Sequence, residues 1–593
     1  MNSSTEPSRA AAKTGYNRFL LLVAGLGGLL FGVDVGIISG ALPYLEATSG
    51  LTADKLSHIV AAVLLGGVIS TLFAGVLADF FGRKPMMIFS GLLFVVSVPA
   101  IALANGYGAL IFGRLLQGIS GGLIGVVVPL YLAECLGAKD RGKGTGIFQW
   151  LLTLGIVAAA AIGLYFSARV EEVAKLGDAA KLFAFKDQAW RGIFWVSLPP
   201  GILFVAGGLM VAESPRWLFR KGKKDAALRA LLRSRTAEQA AVEQEEMQRV
   251  ANEETGAAGI GKSHESLFQR KYVLPFVLAC IILACNQATG VNSIIAYNAT
   301  ILIQAGLSDR WAHIGYFIFT IINFLMTIGA VLLVDRRGRK FLLSLGTAGV
   351  IVSLLATAFI FRQTEARRVD VKDAVQSTVI ASNQTAVIDF NGATAAKLLG
   401  GPAVQDPGQP QSLVVIYSYG DFSAATKVVR SDDVDPKLVI ERGSCVPATK
   451  VAAFFKNPFA DLDAAMSAPL RIQNALVTPV PSSSNGWLVA VCLFCFMSFF
   501  AIGPGVCVWL ALSELMPTRI RSNGMSIALL VNIAISTLIA GIFLPTVGKY
   551  GYSAMFFVFA GCTVVYFITA AFFLPETKGK TLEEIEAAFA GKK

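Results

Sequence analysis

Apolar stretches of about 20 residues recur along the chain, and polar segments separate them. A helix of this length crosses the roughly 30 Å hydrocarbon core of a bilayer. The pattern predicts an all-α membrane protein with twelve spans, arranged as two sets of six. The spans are predicted at residues 18–42, 58–79, 86–106, 109–132, 145–167 and 192–212, and then at 272–297, 312–334, 341–361, 487–513, 525–547 and 552–574.

The composition agrees with a membrane protein and excludes several other classes. Only 15% of the 593 residues are charged, whereas soluble proteins carry about 25%. The net charge of +12 comes from basic residues concentrated in loops between spans, so it indicates topology rather than binding of nucleic acid. The sequence has no phosphate-binding loop motif, and its three histidines are scattered. We therefore expect neither an enzyme nor a bound metal or cofactor.

Lysine and arginine in the loops predict which side of the membrane each loop faces. Short loops enriched in these residues stay on the cytoplasmic side. Such loops follow spans 2, 4, 8 and 10, whereas the loops after spans 3 and 11 are nearly free of basic residues. Because the number of spans is even, we predict a multi-pass protein of the cell membrane with both termini in the cytoplasm. The basic residues are Arg83, Lys84, Lys139, Arg141, Lys143, Arg336, Arg337, Arg339, Lys340, Arg519 and Arg521.

Longer polar segments interrupt the series of spans. Residues 214–270 are rich in Glu, Ala, Lys and Arg, which favour short cytoplasmic helices, and the charged stretch 168–190 is expected to be an amphipathic helix. Residues 363–486, called the insert below, contain β-like runs at 412–417 and 437–441 between Asn, Gly and Pro. A small β-rich domain on the outer side is the expectation, and disorder is the alternative. The remaining domains are an N-terminal half (1–213), a C-terminal half (271–362 and 487–575) and a cytoplasmic tail (576–593).

Clusters of acidic and basic residues repeat in the two halves. Spans 2 and 8 each end in an acid that precedes a glycine and a basic pair, and spans 4 and 10 each end in a glutamate with an arginine seven residues on. Matching order in both halves indicates a duplication with parallel repeats, which is one plan of membrane transporters. Charges that only mark the topology would explain one such cluster, but they would not explain four clusters in matching order. We expect a gate on the cytoplasmic side that latches the outward-facing state. Its predicted members are Asp79, Arg83, Glu134, Arg141, Asp335, Arg339, Glu514 and Arg521.

Six short stretches of the sequence stand out as motifs: GGLLFGVD at 27–34, RLLQGISGG at 114–122, PLYLAE at 129–134, ESPRW at 213–217, QATGVN at 287–292 and PETKGKTLE at 575–583. In these stretches the chain resembles the sugar porter family of the major facilitator superfamily, and the resemblance covers nearly everything except the insert. It implies a major facilitator fold, alternating access, and a sugar or cyclic polyol as substrate. It also adds Glu213 and Arg216 to the cytoplasmic gate.

Asp34 lies inside the first apolar span. A charged side chain at the centre of a span costs about 2.5–3.5 kcal/mol on insertion scales, so it needs a partner or a proton. Arg114 in span 4 is the natural partner, because it is also an intramembrane charge. Asp34 resembles the proton-coupling aspartate of the family's symporters, and this resemblance favours proton symport. A static pair that only holds two helices together is the alternative.

Amide side chains inside the apolar spans are candidates for binding the substrate. A buried amide is costly unless it is hydrogen bonded, and it offers a hydroxyl both a donor and an acceptor. Gln287 and Asn292 share a helix face only if the helix is irregular near Gly290. The family usually has Gln-Gln where this chain has Asn286-Gln287, which indicates a reshaped pocket. The positions that match sugar-contacting residues of the family are Gln149, Asn286, Gln287, Asn292, Asn323, Asn532 and Trp509.

The sequence leaves the substrate and the mode of transport open. A facilitator without proton coupling is one alternative, and a sugar sensor is a less favoured one because the C-terminal tail is short. Inositol stays among the candidate substrates, because some proton–inositol symporters also carry a large insert between spans 9 and 10. The expected partners are the sugar or polyol, protons and the lipid bilayer, and the protein is expected to be a monomer. The role of the insert stays open.

Overall fold

Twelve helices that could cross a membrane are found in the part of the chain that the structure describes, as the sequence predicts. The structure is a computed structural model, and it describes residues 6–136, 141–257, 270–400, 409–433, 436–450, 453, 456–515 and 521–576. Spans 1 to 6 are Gly15–Ser49, Ala53–Phe81, Arg83–Ala102, Tyr107–Cys135, Ile147–Ala174 and Ala179–Met210. Spans 7 to 12 are Tyr272–Ala296, Asp309–Val334, Arg339–Glu365, Ser483–Val508, Ile527–Tyr550 and Tyr552–Phe573.

Some helices extend well beyond the apolar runs that predict them. Span 5 continues to Ala174, so it takes up the first part of the charged stretch 168–190. The rest of the stretch forms most of a helix of its own, Ala179–Trp195, which precedes Leu198–Met210 in span 6. The Asp178 side chain accepts a hydrogen bond from the backbone N–H of Lys181 at 3.1 Å and caps the helix Ala179–Trp195. Such a cap stabilises a helix start, and the helix therefore begins before the residues that lipid would cover.

Four of the described spans are interrupted where the regular backbone hydrogen bonding changes, and span 6 is one of them, with its break after Trp195. Span 7 breaks at Gly290, which has a left-handed φ of 82°, and span 10 breaks at Gly503. Glycine adopts the left-handed conformation without steric cost. Non-regular backbone at membrane depth is tolerated where it lines protein or a cavity. The segments are Arg270–Ala288, Val291–Ala296 and Asn298–Gln304 around span 7, Ser483–Ile502 and Pro504–Leu515 in span 10, and Tyr552–Ile568 with the π-helical Thr569–Phe573 in span 12.

Within the N-terminal half, spans 1 and 5 pack at very close range. Gly32 faces the backbone of span 5, and a methyl group added there would lie 1.8 Å from the carbonyl oxygen of Leu152. At Gly40 the added carbon would lie 2.9 Å from the Cα of Gly163. Small residues allow helix backbones to approach closely in lipid. The two halves meet mainly where span 2 packs on span 11 and where span 5 packs on span 8.

The segment after span 6 contains three helices, Pro215–Arg220, Lys224–Leu232 and Ala237–Ala257. The side chain of Ser214 accepts a hydrogen bond from the N–H of Trp217 and caps the first of them. Leu218, Phe219 and Ala227 form a small apolar cluster that joins the first two helices. The end of the molecule that carries these helices is called the inner end below. The opposite end, which carries the insert, is called the outer end.

The insert folds around an antiparallel sheet, so the expectation of a small β-rich domain is confirmed and disorder is excluded for its described part. Strands β1, β7, β3 and β4 follow one another across the sheet, and β5 pairs with β3 beside β4; β2 and β6 form a separate pair. Short helices at Lys372–Gln376, Gly392–Leu398, Arg442–Cys445 and Leu462–Ser467 cover the sheet. The strands are β1 Val369–Asp370, β2 Ala386–Asp389, β3 Gln411–Tyr419, β4 Phe422–Ala425, β5 Val429–Arg430, β6 Lys437–Ile440 and β7 Leu470–Pro479.

The insert rests on the outer ends of both halves. It leaves the C-terminal half through spans 9 and 10, and β3 and β4 also pack on span 11. Strand β4 further contacts span 2 of the N-terminal half. The Lys456 ammonium lies 3.5 Å from an Asp54 carboxylate oxygen at the start of span 2. One domain therefore spans the outer ends of two halves that alternating access would have to separate.

Candidate transport site

Three of the predicted substrate-binding amides form one hydrogen-bonded group between spans 7 and 11. The Asn292 side chain donates to Gln287 Oε1 at 2.9 Å and to Ser536 Oγ at 2.8 Å. The Gln287 amide donates to Asn532 Oδ1 at 3.2 Å. The break at Gly290 turns Asn292 toward Gln287, which an unbroken helix would not do for two residues five positions apart. The result is a compact polar patch inside apolar helices.

The other predicted sugar contacts stand apart from this group. Asn286 is 3% exposed, and its side-chain oxygen has no hydrogen-bond partner among the described residues. Gln149 in span 5 and Asn323 in span 8 are half-buried. These two spans pack on each other, with Trp150 and Phe324 in edge-to-face contact at 6.4 Å. The side chain of Trp509 lies outside the described part of the structure.

Asp34 and Arg114 form a buried ion pair, as the two intramembrane charges of the N-terminal half predict. Asp34 Oδ1 lies 3.6 Å from Arg114 Nη1, and the two side chains are 3% and 2% exposed. The same Nη1 donates a shorter hydrogen bond of 2.7 Å to Gln117 Oε1. Asp34 Oδ1 has no hydrogen-bond partner among the described residues. The carboxylate is thus attracted by the guanidinium without being locked to it, which leaves it able to accept a proton.

At the inner end, charged side chains join spans 2 and 4. The buried guanidinium of Arg83 lies 2.8 Å from carboxylate oxygens of both Asp79 and Glu134. Arg220 approaches the same two acids, at 3.5 Å and 3.3 Å. Glu134 also accepts a hydrogen bond from the Ser214 hydroxyl. All these residues belong to the N-terminal half or to the start of the linker, so here the cluster joins helices within one half.

One predicted member of the gate, Arg216, does not join this cluster. Arg216 is exposed, and Arg220, one helical turn later, is the arginine that reaches Asp79 and Glu134. In the short helix Pro215–Arg220, residues one turn apart share a face, but only the later one lies over the acids. For four predicted gate residues the side chains lie outside the described part of the structure. They are Arg141, Asp335, Glu514 and Arg521.

A glutamate caps the helix after each of the two repeated clusters. Glu213 accepts hydrogen bonds from the backbone N–H groups of Arg83 and Lys84, both at 3.1 Å. Glu576 accepts one from the N–H of Arg339 at 3.3 Å in the C-terminal half. A carboxylate at a helix N-terminus satisfies free N–H groups and complements the helix dipole. Burial raises the pKa of Glu213, although these hydrogen bonds oppose that shift.

The glycines of the repeated clusters make room for these carboxylates. Gly82 and Gly338 have φ values of 107° and 89°, a region that side chains rarely adopt. A methyl group at either glycine would also collide with the carboxylate of Glu213 or Glu576. The internal repeat therefore includes a capping glutamate, which the charge pattern of the sequence did not reveal. Its signal was the shared Pro/Ala-Glu-Ser/Thr pattern at 212–214 and 575–577.

At the outer end, buried polar contacts join the two halves, and the sequence did not predict them. Asp309 Oδ2 accepts hydrogen bonds from Tyr44 at 2.7 Å and from Ser167 at 2.8 Å. The ring of His313 stacks on Tyr44 with centroids 5.6 Å apart, and its Nε2 lies 3.3 Å from the carbonyl oxygen of Gly40. We call Tyr44, Ser167, Asp309 and His313 the outer lock. Each is an ordinary polar residue near a span end, so only the fold reveals the group.

Further contacts extend this closure across the outer end. Arg310 donates to Glu171 at 3.0 Å, and Tyr316 donates to a carbonyl oxygen of span 1 at 3.0 Å. The hydroxyl of Tyr297 lies 3.3 Å from Ser57 Oγ in span 2. Each contact pairs one residue of the N-terminal half with one of the C-terminal half. The structure is therefore a state in which the outer end is closed.

The sequence as a whole matches a known family of carriers. The model of the family described as sugar (and other) transporter matches residues 20–382 and 464–589. The chain belongs to this family. It is a membrane carrier of the sugar porter type and not an enzyme. The unmatched residues 383–463 lie within the insert.

Curated relatives match over nearly the whole chain at low identity. The human proton myo-inositol cotransporter is 28% identical over 584 residues, covering 96% of this chain and 82% of that protein. Inositol transporter 4 of Arabidopsis thaliana is 27% identical, covering 98% and 93%. The glucose transporter GlcP of Staphylococcus epidermidis is 25% identical, covering 96% and 97%.

Solved structures confirm the fold. The inward open conformation of the xylose transporter XylE from E. coli superposes with a TM-score of 0.62 at 20% identity, covering 96% of this chain and 98% of that one. A structure titled as the proton:xylose symporter XylE bound to 6-bromo-6-deoxy-D-glucose gives a TM-score of 0.59 at 21% identity, covering 97% and 100%. The chain therefore has the major facilitator fold.

Proposed function

We propose that this carrier moves a monosaccharide or cyclic polyol across the cell membrane by alternating access, coupled to a proton. The observation that carries the proposal is the buried pair of Asp34 and Arg114. Their 3.6 Å separation attracts the ionised acid without a short hydrogen bond, and burial opposes that ionised form. A proton arriving at Asp34 would remove its attraction for Arg114, while the hydrogen bond from Arg114 to Gln117 would remain. Protonation can therefore rearrange contacts between spans 1 and 4.

The substrate is proposed to bind at the amides of spans 7 and 11. Gln287, Asn292 and Asn532 present donors and acceptors in a water-poor interior, where a hydroxyl-rich ligand replaces their mutual hydrogen bonds. This exchange keeps the amides satisfied whether or not substrate is bound. The Asn286 side-chain oxygen is buried and has no hydrogen-bond partner within the described ranges, so it supplies a further acceptor. Gln149, Asn323 and Trp509 are proposed to complete the site from neighbouring spans.

Alternating access is supported by what each end of the molecule shows. The outer lock closes the outer end, whereas the inner cluster of Asp79, Arg83 and Glu134 joins helices of one half. We propose that the inner clusters of both halves meet when the outer lock opens. The basic loops at the inner end favour the cytoplasm as the side that this end faces. The relatives named for inositol and glucose support a polyol or a hexose as the substrate. A single chain contains all of the side chains proposed here for the substrate and the proton.

Uptake into proteoliposomes tests this proposal. The purified protein is reconstituted, and labelled myo-inositol, D-glucose, D-xylose and L-arabinose are supplied with and without an inwardly directed proton gradient. We expect one of these sugars to accumulate only with the gradient. A gradient of about one pH unit is worth about 1.4 kcal/mol and supports about tenfold accumulation at one proton per sugar. Equilibration without accumulation under both conditions would show a facilitator, and no uptake of any sugar would contradict the proposal.

A further inference from the structure

A cavity of about 460 Å³ lies between the insert and the outer ends of both halves. Small-molecule sites are typically about 300–1,000 Å³ in volume. Spans 1, 5 and 6 form one wall, the segment from Thr300 to Arg310 forms another, and insert residues around Lys427 form the roof. We call this space the outer chamber. Tyr44 and Asp309 of the outer lock line it, so it lies directly outside the closed end of the transport path.

The outer chamber is lined by a buried hydroxyl group whose hydrogen-bonding capacity is unused in the described part of the structure. Thr300 is 6% exposed, and its hydroxyl has no hydrogen-bond partner among the described residues. A buried hydroxyl group without a hydrogen-bond partner is unfavourable. Because Thr300 lines the chamber, a ligand or water there would supply the missing bond. Thr300 lies on the helix Asn298–Gln304, so this part of the chamber wall is a helix and not a loop.

The charges around the chamber indicate which ligand fits. Glu46 and Gln304 offer acceptors, and Lys186, Lys427 and Gln304 offer donors. Arg310, another wall residue, is already paired with Glu171. A wall with both signs of charge does not favour a simple cation or anion, since either meets a like charge nearby. A neutral ligand that is rich in hydroxyl groups can bond to both kinds of group.

We propose that the outer chamber is a second binding site for the sugar or polyol, occupied while the outer lock is closed. The ligand is held by Thr300, Gln304 and Glu46 beneath Lys427 of the insert. When Asp309 separates from Tyr44, the ligand lies next to the opening that leads to the central amides. The proposal gives the insert a function, because its residues 427–433 complete the chamber. It rests on the function proposed above and adds a site to it.

Protection of an introduced cysteine tests the chamber directly. Ala174 is a half-buried wall residue, and Ala180 is a nearby exposed residue that serves as the matched position. Ala174→Cys and Ala180→Cys are made in the full-length chain in proteoliposomes with the outer end outward. Labelling by a membrane-impermeant maleimide is compared with that of the chain without the added cysteine. We expect saturating myo-inositol, D-glucose or D-xylose to slow labelling of Ala174→Cys several-fold and to leave Ala180→Cys unchanged.

Second substitutions separate the chamber from the central site. Protection should persist when Asn292→Ala disables the central amides, and it should disappear in Thr300→Val and in Gln304→Ala. Protection that vanishes with Asn292→Ala but survives both chamber substitutions would overturn the proposal, because the central site would then cause it. Uptake of the sugar without protection at Ala174→Cys would also overturn it while leaving the transport function intact. Absence of both uptake and protection would contradict both proposals.

Discussion

At the scale of single residues, the central site depends on side chains that satisfy one another in the closed state. Asn292 donates to both Gln287 and Ser536, so it links the broken span 7 to span 11. Asp34 Oδ1 lies at a longer distance, 3.6 Å, from Arg114 and accepts no hydrogen bond from the part of the chain that the structure describes. The amides therefore form a group that is complete without substrate, whereas the acid remains open to a proton. This difference fits one site for the sugar and another for the proton.

Substitution of Asn292 by alanine should weaken substrate binding more than it weakens the fold. One lost hydrogen bond at a buried polar site costs about 1–3 kcal/mol, so we expect KM for uptake to rise about 5- to 150-fold. Initial uptake rates over a range of sugar concentrations provide the measurement. Asn383→Ala, at an exposed position of the insert, is the matched control and should leave KM unchanged. A KM that is equal in both variants would remove Asn292 from the proposed site.

Sequence reasoning succeeded for residues whose need for a partner is visible locally. Asp34 and Arg114 were paired because each is a charge inside an apolar span. The outer lock was not predicted, since Ser167 and Asp309 are 142 residues apart and neither is unusual where it stands. His313 looked isolated for the same reason. Which arginine completes the inner cluster depends on how the short helix after Ser214 is oriented, and sequence alone does not fix that orientation.

At the scale of elements, close packing of spans 1 and 5 fixes the N-terminal half. Apolar length predicted all twelve spans, because lipid thickness sets a requirement that each span meets by itself. The sheet of the insert was predicted only as β-like runs. The strand order of this sheet requires β3 to pair with β7. Strand β7 starts about 50 residues after β3 ends, and its local sequence does not identify β3 as the partner strand. The sequence indicated the break at Gly290 only indirectly, because Asn292 and Gln287 can share a helix face only if the helix is irregular there.

Enlarging Gly32 should destroy this packing. In Gly32→Leu the new side chain would occupy the space of the Leu152 carbonyl group, so spans 1 and 5 would have to separate. We expect loss of the folded monodisperse protein or a fall of several degrees in Tm, measured by size-exclusion chromatography and thermal unfolding in detergent. The control is Gly75→Leu in span 2, where nothing lies within 4 Å of the added carbon. Equal Tm values for the two variants would contradict the close packing of spans 1 and 5 at Gly32.

At the scale of the whole molecule, the two halves are joined at the outer end and the insert lies across that joint. The ion pair of Lys456 with Asp54 is partly exposed, and such pairs contribute about 0–1 kcal/mol. The outer lock is more strongly built, since Asp309 accepts two hydrogen bonds from the opposite half. We therefore expect the lock to set the balance between the closed and the open outer end, and this ion pair of the insert to contribute little to it.

Removing the charge of Asp309 should shift this balance toward an open outer end. Hydrogen bonds to charged groups contribute about 1.5–3 kcal/mol, so Asp309→Asn is expected to raise the open population by about 10- to 100-fold. Spin labels at Lys181→Cys and Lys372→Cys, both exposed at the outer end, report the distance between the halves. Asp389→Asn, at an exposed site of the insert, should not change the distribution. An unchanged distribution in Asp309→Asn would mean that other contacts hold the outer end closed.

Proton-coupled transport through Asp34 is tested most directly by Asp34→Asn in proteoliposomes. With an inward gradient of about one pH unit, the wild-type protein should accumulate its sugar about tenfold. Asp34→Asn should reach only equal concentrations on the two sides while still exchanging labelled for unlabelled sugar, which shows that it is folded and binds substrate. Asp225→Asn, at an exposed position of the linker, makes the same change of charge and should behave like wild type. Accumulation by Asp34→Asn equal to that of wild type would contradict the account.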